Sequence, residues 1–225
     1  MTPYSENRVG SVFVCVGVIN INTTAPPEKT ALTRVVFGVE VPATGVWDIP
    51  PATASIHFTL RRPGARALRG HVCLADGVIL IAADPRESVA AISLDASSLQ
   101  ASGRRRTRLH AKWLAAHRHP TIDLLIDAVE QQTRWEWTAL GRLRLRDSTT
   151  PVALCFTYDG IDDAGGAMFR ARTSLTVADL GLFRRWSRWF TRSLNVDVRV
   201  EMRARRVADL ATFARDLRHP SSFVG

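Results

Sequence analysis

The sequence predicts an all-β fold, an antiparallel barrel of about eight strands. Segments in which apolar and polar residues alternate recur along the chain, turn residues separate them, and residues 141–154 form a hairpin pattern. In that pattern Leu143 and Leu145 alternate with arginines, a polar corner follows, and the alternation resumes at Val152 after Pro151. A period of two places one face of each strand in a core and the other in water.

From Trp47 onward the alternating segments are numerous enough to close a barrel. Breaks are predicted at Gly64, Gly70, Asp76-Gly77 and Asp84-Pro85, because glycine and proline interrupt strands. In the hairpin, Asp147, Ser148 and the threonines are expected to form the turn, with Pro151 at the start of the second strand. The predicted strand segments are residues 56–60, 72–74, 78–81, 92–94, 122–126, 135–137, 143–145, 152–156, 169–171 and 196–202.

Two helices and three chain regions complete the predicted organisation. A short helix over residues 106–117 is expected to cross a barrel end, and a second helix is expected over 207–217. Residues 1–45 are predicted to be an N-terminal extension, strand-forming or partly disordered, 46–205 the barrel, and 206–225 a basic C-terminal helix and tail. Whether residues 1–45 fold onto the barrel is left open.

Charge, hydropathy and cysteine content bear on the cellular location of the protein and on the kinds of site it could contain. The net charge is +9, and the excess lies beyond residue 100, because residues 1–100 contain eight basic and eight acidic side chains. The apolar run at residues 9–19 is valine-rich and lacks a clear cleavage site, so it predicts a strand rather than a signal peptide. The three cysteines lack paired spacing, which favours neither disulfides nor a zinc site. A cytoplasmic location is expected.

Several short motifs, weak one by one, together indicate a particular family because they occur in the right order along the chain. The hairpin pattern is glycine, alternating leucines, arginine, a short corner, threonine and proline, carried by Gly141, Leu143, Leu145, Arg146, Thr149, Pro151 and Val152. Further motifs occur before and after this hairpin: Trp47-x-Ile49, Ser55-Ile56-x-Phe58, Gly70, Ser98-Leu99, His119-Pro120 and Asp179-Leu180. From about Trp47 to Ala204 the chain resembles the YceI family, lipocalin-like proteins that bind polyisoprenoid lipids in an antiparallel barrel.

The sequence departs from that family at polar positions. The family has an Asp and a His-Ser pair before its first strand, where this chain has Pro50, Thr53 and Ala54. The family usually has an arginine shortly before the aspartate that matches Asp179, and this chain has Val177 at that position. Contacts to a lipid headgroup at those positions therefore do not transfer, and the chain is a divergent member by this comparison.

The resemblance implies non-enzymatic binding, transport or storage of an isoprenoid or other long-chain apolar lipid, without a cofactor. An eight-stranded barrel is either filled by side chains or just able to hold one small ligand. For each candidate, plain core packing is an equally good explanation, because any alternating strand points apolar residues inward. The candidate ligand-binding residues are Phe58, Leu94, Trp113, Leu114, Ile122, Leu124, Leu143 and Phe156.

The sequence offers little support for catalysis. His117 and His119 are spaced to share one strand face, but no carboxylate or cysteine completes a metal site. Asp159, Asp162 and Asp163 lack the spacing of a calcium loop and are better explained as a hairpin tip. No nucleophile elbow or phosphate-binding glycine loop is present. We expect no catalytic residue and no metal.

A second function class comes from the basic, aromatic segment 182–192. It interleaves tryptophans with arginines, so it fits an amphipathic cap over the barrel, contact with an anionic membrane, or, least favoured, nucleic acid. On this alternative the protein is a barrel-fold interaction protein, and a homodimer stays open. The candidate contact residues are Arg184, Arg185, Trp186, Arg188 and Trp189.

Overall fold

A computed structural model describes residues 32–61, 67–101, 116–178, 180 and 194–208. Its regular elements are β-strands and two short 3₁₀ turns, at Pro51–Thr53 and Pro85–Glu87. The strands are β1 (Thr33–Val36), β2 (Val39–Pro42), β3 (Gly45–Asp48), β4 (Ala54–Arg61), β5 (Leu68–Ile81), β6 (Val89–Ala101), β7 (Thr121–Gln131), β8 (Glu136–Leu145), β9 (Ser148–Ile161), β10 (Gly166–Thr176) and β11 (Asn195–Ala208).

Strands β4 to β11 close into an eight-stranded antiparallel barrel, as predicted. Each pairs with the next along the chain, and β11 returns to pair with both β10 and β4. Strand β3 occupies the same position as β4, because both pair with β5 on one side and β11 on the other, at different heights. The 3₁₀ turn at Pro51–Thr53 joins these two halves of one interrupted strand.

The strand breaks predicted at Gly70 and at Asp76-Gly77 were wrong. Both positions lie inside one strand, β5, which also joins the predicted segments 72–74 and 78–81. Gly77 instead lies against Ile49: a Cβ at Gly77 would approach the Ile49 Cδ1 to 3.1 Å, and the Gly77 carbonyl accepts a hydrogen bond from the Ile49 amide. The glycine is thus used for close packing within a strand.

The hairpin around Gly141 is confirmed, with two corrections. Segments 135–137 and 143–145 merge, because β8 runs through Gly141; Trp135 lies outside the strand and its side chain is 61% exposed. The turn consists of Arg146 and Asp147, with Arg146 at a φ of 57°, whereas Ser148 and both threonines already belong to β9. Asp147 is therefore in the turn as predicted, whereas Ser148 and the threonines pair in the ladder.

Residues 32–45 pack onto the barrel. Strands β1 and β2 form a separate hairpin, in which Val41 is buried; Leu32 and Ala43, which flank the hairpin, are buried as well. The Trp47 indole, fully buried, donates to the Ala43 carbonyl at 3.0 Å, and the Ala43 amide donates to the Leu32 carbonyl at 2.8 Å. This part of the predicted extension therefore contributes to the core.

The predicted helices fall mainly outside the described residues. Of the segment 106–117, Ala116 and His117 are described and lie in a turn. Of the segment 207–217, Val207 and Ala208 are described and are the last residues of β11, so a helix starting at Val207 was wrong. The β11 ladder extends to Ala208 because that residue pairs with Val46 of β3.

Candidate functional site

An apolar cavity of about 120 Å³ lies inside the barrel. Strands β7, β8 and β9 supply Leu124, Ile126, Val129, Trp137, Leu154 and Phe156 to its wall. Strands β5, β6, β10 and β11 supply further residues, among them Ile79, Ile81, Ala90, Phe169 and Met202. The alternation of apolar and polar residues explains this directly, since each of these strands presents one apolar face to the interior.

The β1–β2 hairpin and the β5–β6 connection also contribute to the cavity wall. Val41 and Pro42 come from β2, and Pro85 and Ser88 come from the connection. Arg34 fastens the two segments together: its guanidinium donates to the carbonyls of Ala82 and Ala83, each at 2.6 Å. This hairpin lies before the residues on which the family resemblance depends.

Two of the predicted ligand-binding residues, Leu124 and Phe156, lie in the cavity wall. Four others are not in its wall. Ile122 is buried in a cluster with Ala96, Leu145 and Leu180. Leu94 and Leu143 pack against that cluster and also against the clusters that contain residues of the cavity wall. The ring of Phe58 lies over Gly70, in the space that a side chain at Gly70 would fill. Trp113 and Leu114 lie outside the described residues.

Sequence reasoning missed most of the wall. Strand periodicity gave the inward face but not the height along the barrel. Ile122 and Leu124 are neighbours on one face of β7, yet Leu124 lines this cavity whereas Ile122 belongs to the cluster of Ala96, Leu145 and Leu180. Tyr158 could have been found, because it continues the series of Leu154 and Phe156 on β9. No local signal placed Val41 and Pro42 there.

The cavity wall contains two side chains with hydroxyl groups, Ser88 and Tyr158. The Ser88 hydroxyl accepts a hydrogen bond from the Ala82 amide at 3.1 Å. The Tyr158 hydroxyl oxygen is buried and has no hydrogen-bond partner among the described residues. Burial, and to a smaller degree the charge of Glu40, raise the pKa of Tyr158 far above its usual value, so the phenol remains protonated.

The outer face of the barrel carries charge in cross-strand pairs. Arg144 of β8 donates to Asp123 of β7 at 2.7 Å, and Ser93 of β6 donates to the same carboxylate at 2.7 Å. Arg170 pairs with Asp159 across β9 and β10 in the same way. Many outward arginines are therefore neutralised locally, which supports a solvated face rather than a continuous basic patch on this part of the barrel.

The predicted contact residues Arg184, Arg185, Trp186, Arg188 and Trp189 lie outside the described residues. Asp162 and Asp163 lie at the β9–β10 hairpin tip, as expected, whereas Asp159 lies within β9. The Asp162 carboxylate accepts hydrogen bonds from the amides of Ala164 and Gly166 at 3.0 and 2.8 Å. Across the described ranges, no three His, Cys, Asp or Glu side chains are grouped to hold a metal ion. No helix in those ranges is long and apolar enough to cross a bilayer.

A closed eight-stranded antiparallel barrel with charged side chains outside and an apolar cavity inside defines a protein of the lipocalin-like class. The chain belongs to the YceI-like family, because the YceI-like domain matches residues 47–205. The family assignment from the sequence motifs is therefore confirmed.

Two solved structures are similar to this fold. Burkholderia cenocepacia BcnA is 12% identical, with 69% of this chain and 98% of that chain covered and a TM-score of 0.58. A polyisoprenoid-binding domain from Saccharophagus degradans, implicated in plant cell wall breakdown, is 9% identical, with 73% and 100% covered and a TM-score of 0.51. At these identities the likeness establishes the fold alone. No curated protein matches the sequence.

Proposed function

We propose that this protein binds an apolar lipid of the isoprenoid type inside the barrel and acts as a carrier or store rather than as an enzyme. The observation that carries the proposal is the interior cavity, whose wall consists almost entirely of aliphatic and aromatic side chains. Membership of the YceI-like family and the fold of the polyisoprenoid-binding domain support it.

The cavity favours hydrocarbon for a simple physical reason. Each CH₂ group removed from water contributes about 0.8 kcal/mol, so burial of a five-carbon isoprene unit contributes about 4 kcal/mol before the cost of association. A cavity of about 120 Å³ is comparable to one that holds benzene, about 150 Å³. A long isoprenoid tail therefore requires the lining side chains to separate or part of the tail to lie outside this cavity.

Delivery of such a lipid requires contact with a membrane, and the segment 182–192 remains our candidate for it. Its aromatic and arginine side chains match what anionic lipid surfaces bind. Flotation with anionic liposomes should weaken for Trp186→Ala and Trp189→Ala. Unchanged flotation of both variants would remove the membrane role, and salt-sensitive binding of oligonucleotides would favour the nucleic-acid alternative instead.

The carrier proposal is tested by the lipids that the protein retains. Ala90 lines the cavity, whereas Ala91, the next residue of β6, is exposed on the outer face. We expect mass spectrometry of organic extracts to detect an apolar lipid with purified wild type and with Ala91→Trp, and much less with Ala90→Trp, whose indole fills the cavity.

Thermal unfolding of each variant should accompany the extraction, because overpacking of a core can destabilise it. If Ala90→Trp unfolds early, Ala139→Leu provides a smaller obstruction in the same wall. Equal lipid recovery from the inward and outward variants would contradict binding inside this cavity. Absence of lipid from the wild type, together with no uptake of added isoprenoid, would overturn the proposal.

A further inference from the structure

Exposed apolar side chains are concentrated at one end of the barrel. Among the described residues, four large hydrophobic side chains are exposed: Val35, Phe37, Leu125 and Trp135. Leu125 lies in the middle of β7, whereas the other three lie in or beside the β1–β2 and β7–β8 turns. Phe37 is 66% exposed and Trp135 is 61% exposed. Single exposed hydrophobic residues are ordinary, but a group at one end points to an interaction surface.

Three turns meet at this end of the barrel. Val36 of β1 packs against the cluster that contains Trp137, near the start of β8. The 3₁₀ turn at Pro85–Glu87 lies against β7, and its Arg86 guanidinium lies over the Phe37 ring, 5.5 Å from the centroid. The β1–β2 hairpin and this 3₁₀ turn both supply residues to the cavity wall. The exposed aromatic side chains therefore lie at the end to which the cavity extends.

Phe37 is an unfavourable residue for its own turn. Phe37 and Gly38 form the two-residue loop between the paired residues Val36 and Val39, and both have a positive φ, 52° and 72°. A loop of this kind is a type I′ turn, which favours asparagine followed by glycine. A bulky residue with positive φ is strained, and the exposed ring gains little burial in return. A contact outside the chain accounts for an aromatic residue at this position.

The chemistry of the surface matches a phospholipid bilayer. Arg86 lies over Phe37, and Arg134 lies over Trp135, 4.9 Å from the ring centroid. Within the described ranges, neither guanidinium forms an ion pair with a carboxylate. At a bilayer interface an aromatic ring enters the headgroup region while an arginine reaches the phosphates. Exposed carboxylates such as Glu87 offset the positive charge, so ring insertion rather than net charge provides the affinity.

We propose that this end of the barrel docks on a phospholipid bilayer, with Phe37 and Trp135 inserted at the level of the headgroups. A lipid then passes between the bilayer and the cavity beside the β1–β2 hairpin, so the inference rests on the proposed function. This contact is separate from the one proposed for residues 182–192. Thr176 and Asn195, which precede and follow the connection containing that segment, pair at the opposite end of the barrel, near the start of β7.

The test measures binding to neutral vesicles. The proteins are the full-length wild type, Phe37→Asn, Trp135→Ser and the double variant, and the vesicles are phosphatidylcholine in about 0.1 M and about 1 M salt. We expect each single substitution to weaken partitioning about tenfold and the double variant to lose more, with little effect of salt. Contact through the basic residues 182–192 would instead require anionic lipid and weaken as salt is added.

The variants are chosen so that the fold is preserved. Phe37→Asn introduces the residue that a type I′ turn favours before Gly38, so its Tm should equal or exceed that of the wild type. Leu125→Thr is the matched control, because it removes a side chain that is 44% exposed on the side of the barrel, and it should partition like the wild type. Equal losses in Leu125→Thr and Phe37→Asn would overturn the inference.

Three further outcomes would also overturn it. The first is wild-type partitioning of both Phe37→Asn and Trp135→Ser, and the second is failure of the wild type to bind neutral vesicles. The third is self-association of the wild type that Phe37→Asn abolishes while vesicle binding is unchanged, which would assign the surface to a second copy of the chain.

The two proposals fail differently. If the wild type retains lipid and the variants bind vesicles as well as it does, docking at this end is wrong while the carrier function stands. If the variants lose vesicle binding but the wild type neither retains nor takes up lipid, the carrier function fails while the bilayer contact stands.

Discussion

Gly141 of β8 lies against Leu125 of β7 so closely that a Cβ at Gly141 would collide with the Leu125 carbonyl oxygen. The neighbouring Ile126 Cα would lie 2.9 Å from the same Cβ. Opposite Gly141, β7 carries a bulge, because Ile126 pairs with Gly141 and Ala128 with Leu140, which leaves Asp127 as the extra residue. The glycine thus permits the bend by which two strands follow the barrel wall.

Gly141→Ala should destabilise the protein by about 2–3 kcal/mol, because backbone atoms rather than a movable side chain occupy the space. Gly77→Ala is the matched control in β5. Its Cβ would meet only the Ile49 side chain, at 3.1 Å or more, and should cost less than about 1 kcal/mol. Urea unfolding measures both, and equal losses would contradict the close approach at Leu125.

Arg34→Ala should loosen the β1–β2 hairpin, since it removes the hydrogen bonds to the carbonyls of Ala82 and Ala83. We expect faster hydrogen–deuterium exchange in residues 33–42 and a loss of stability of about 1 kcal/mol, modest because the contacts are partly exposed. Arg86→Ala removes only the stacking over Phe37 and should have a smaller effect. Unaltered exchange in Arg34→Ala would show that apolar burial alone holds the hairpin.

Asp123 should make the stability of the barrel depend on pH at the acid end. Partial burial acts to raise its pKa, but hydrogen bonds from Ser93, Arg144 and Thr121, with the charge of Arg144, outweigh burial and lower the pKa below 3.8. A carboxyl group with a lowered pKa in the folded state stabilises above the unfolded pKa, and this contribution is lost as the pH falls through the folded value.

Asp123→Asn should therefore cost about 0.5–1 kcal/mol at pH 7, a range that allows for partial exposure of the pair. The difference from wild type should shrink as the pH falls below about 4. Urea unfolding between pH 7 and pH 3 measures it. A difference that stays constant over this range would show that the Asp123 charge does not contribute.

Cys155 should react slowly with alkylating reagents, because its hydrogen bond to the Glu136 carboxylate and, secondarily, burial raise the pKa of the thiol. Glu136→Gln removes the negative charge and should speed alkylation of Cys155 at pH 8 several-fold. Arg172→Ala should slow it, since Arg172 acts to lower the pKa of Cys155. Peptide mapping gives the rate at each cysteine, with exposed Cys73 as the internal reference. An unchanged rate in Glu136→Gln would contradict the contact.

Sequence reasoning succeeded where the information is local and failed where it depends on distant strands. The alternation around Leu143 and Val152 predicted a hairpin, and the hairpin is present. Gly77 was interpreted as a turn because glycine after aspartate favours turns, but Ile49, far away along the chain, makes it a packing site within β5. Propensity alone cannot tell these two uses of glycine apart.

The candidate site shows the same division. Leu124 and Phe156 line the cavity, while Ile122 is two residues away on the same face of β7 and fills a separate cluster. The alternating pattern identifies the inward face of each strand, but the stagger of the barrel and its bulges set the height of each side chain. Those features depend on pairing between strands distant in sequence, which no local pattern records.

The sequence by itself determined the barrel, the family and the apolar character of the interior, because a two-residue period and turn chemistry act over a few residues. Only the tertiary structure decided where the cavity lies and that residues from the segment 32–45 contribute to its wall. A cavity is a property of how distant segments meet, since it is defined by atoms from several strands at once.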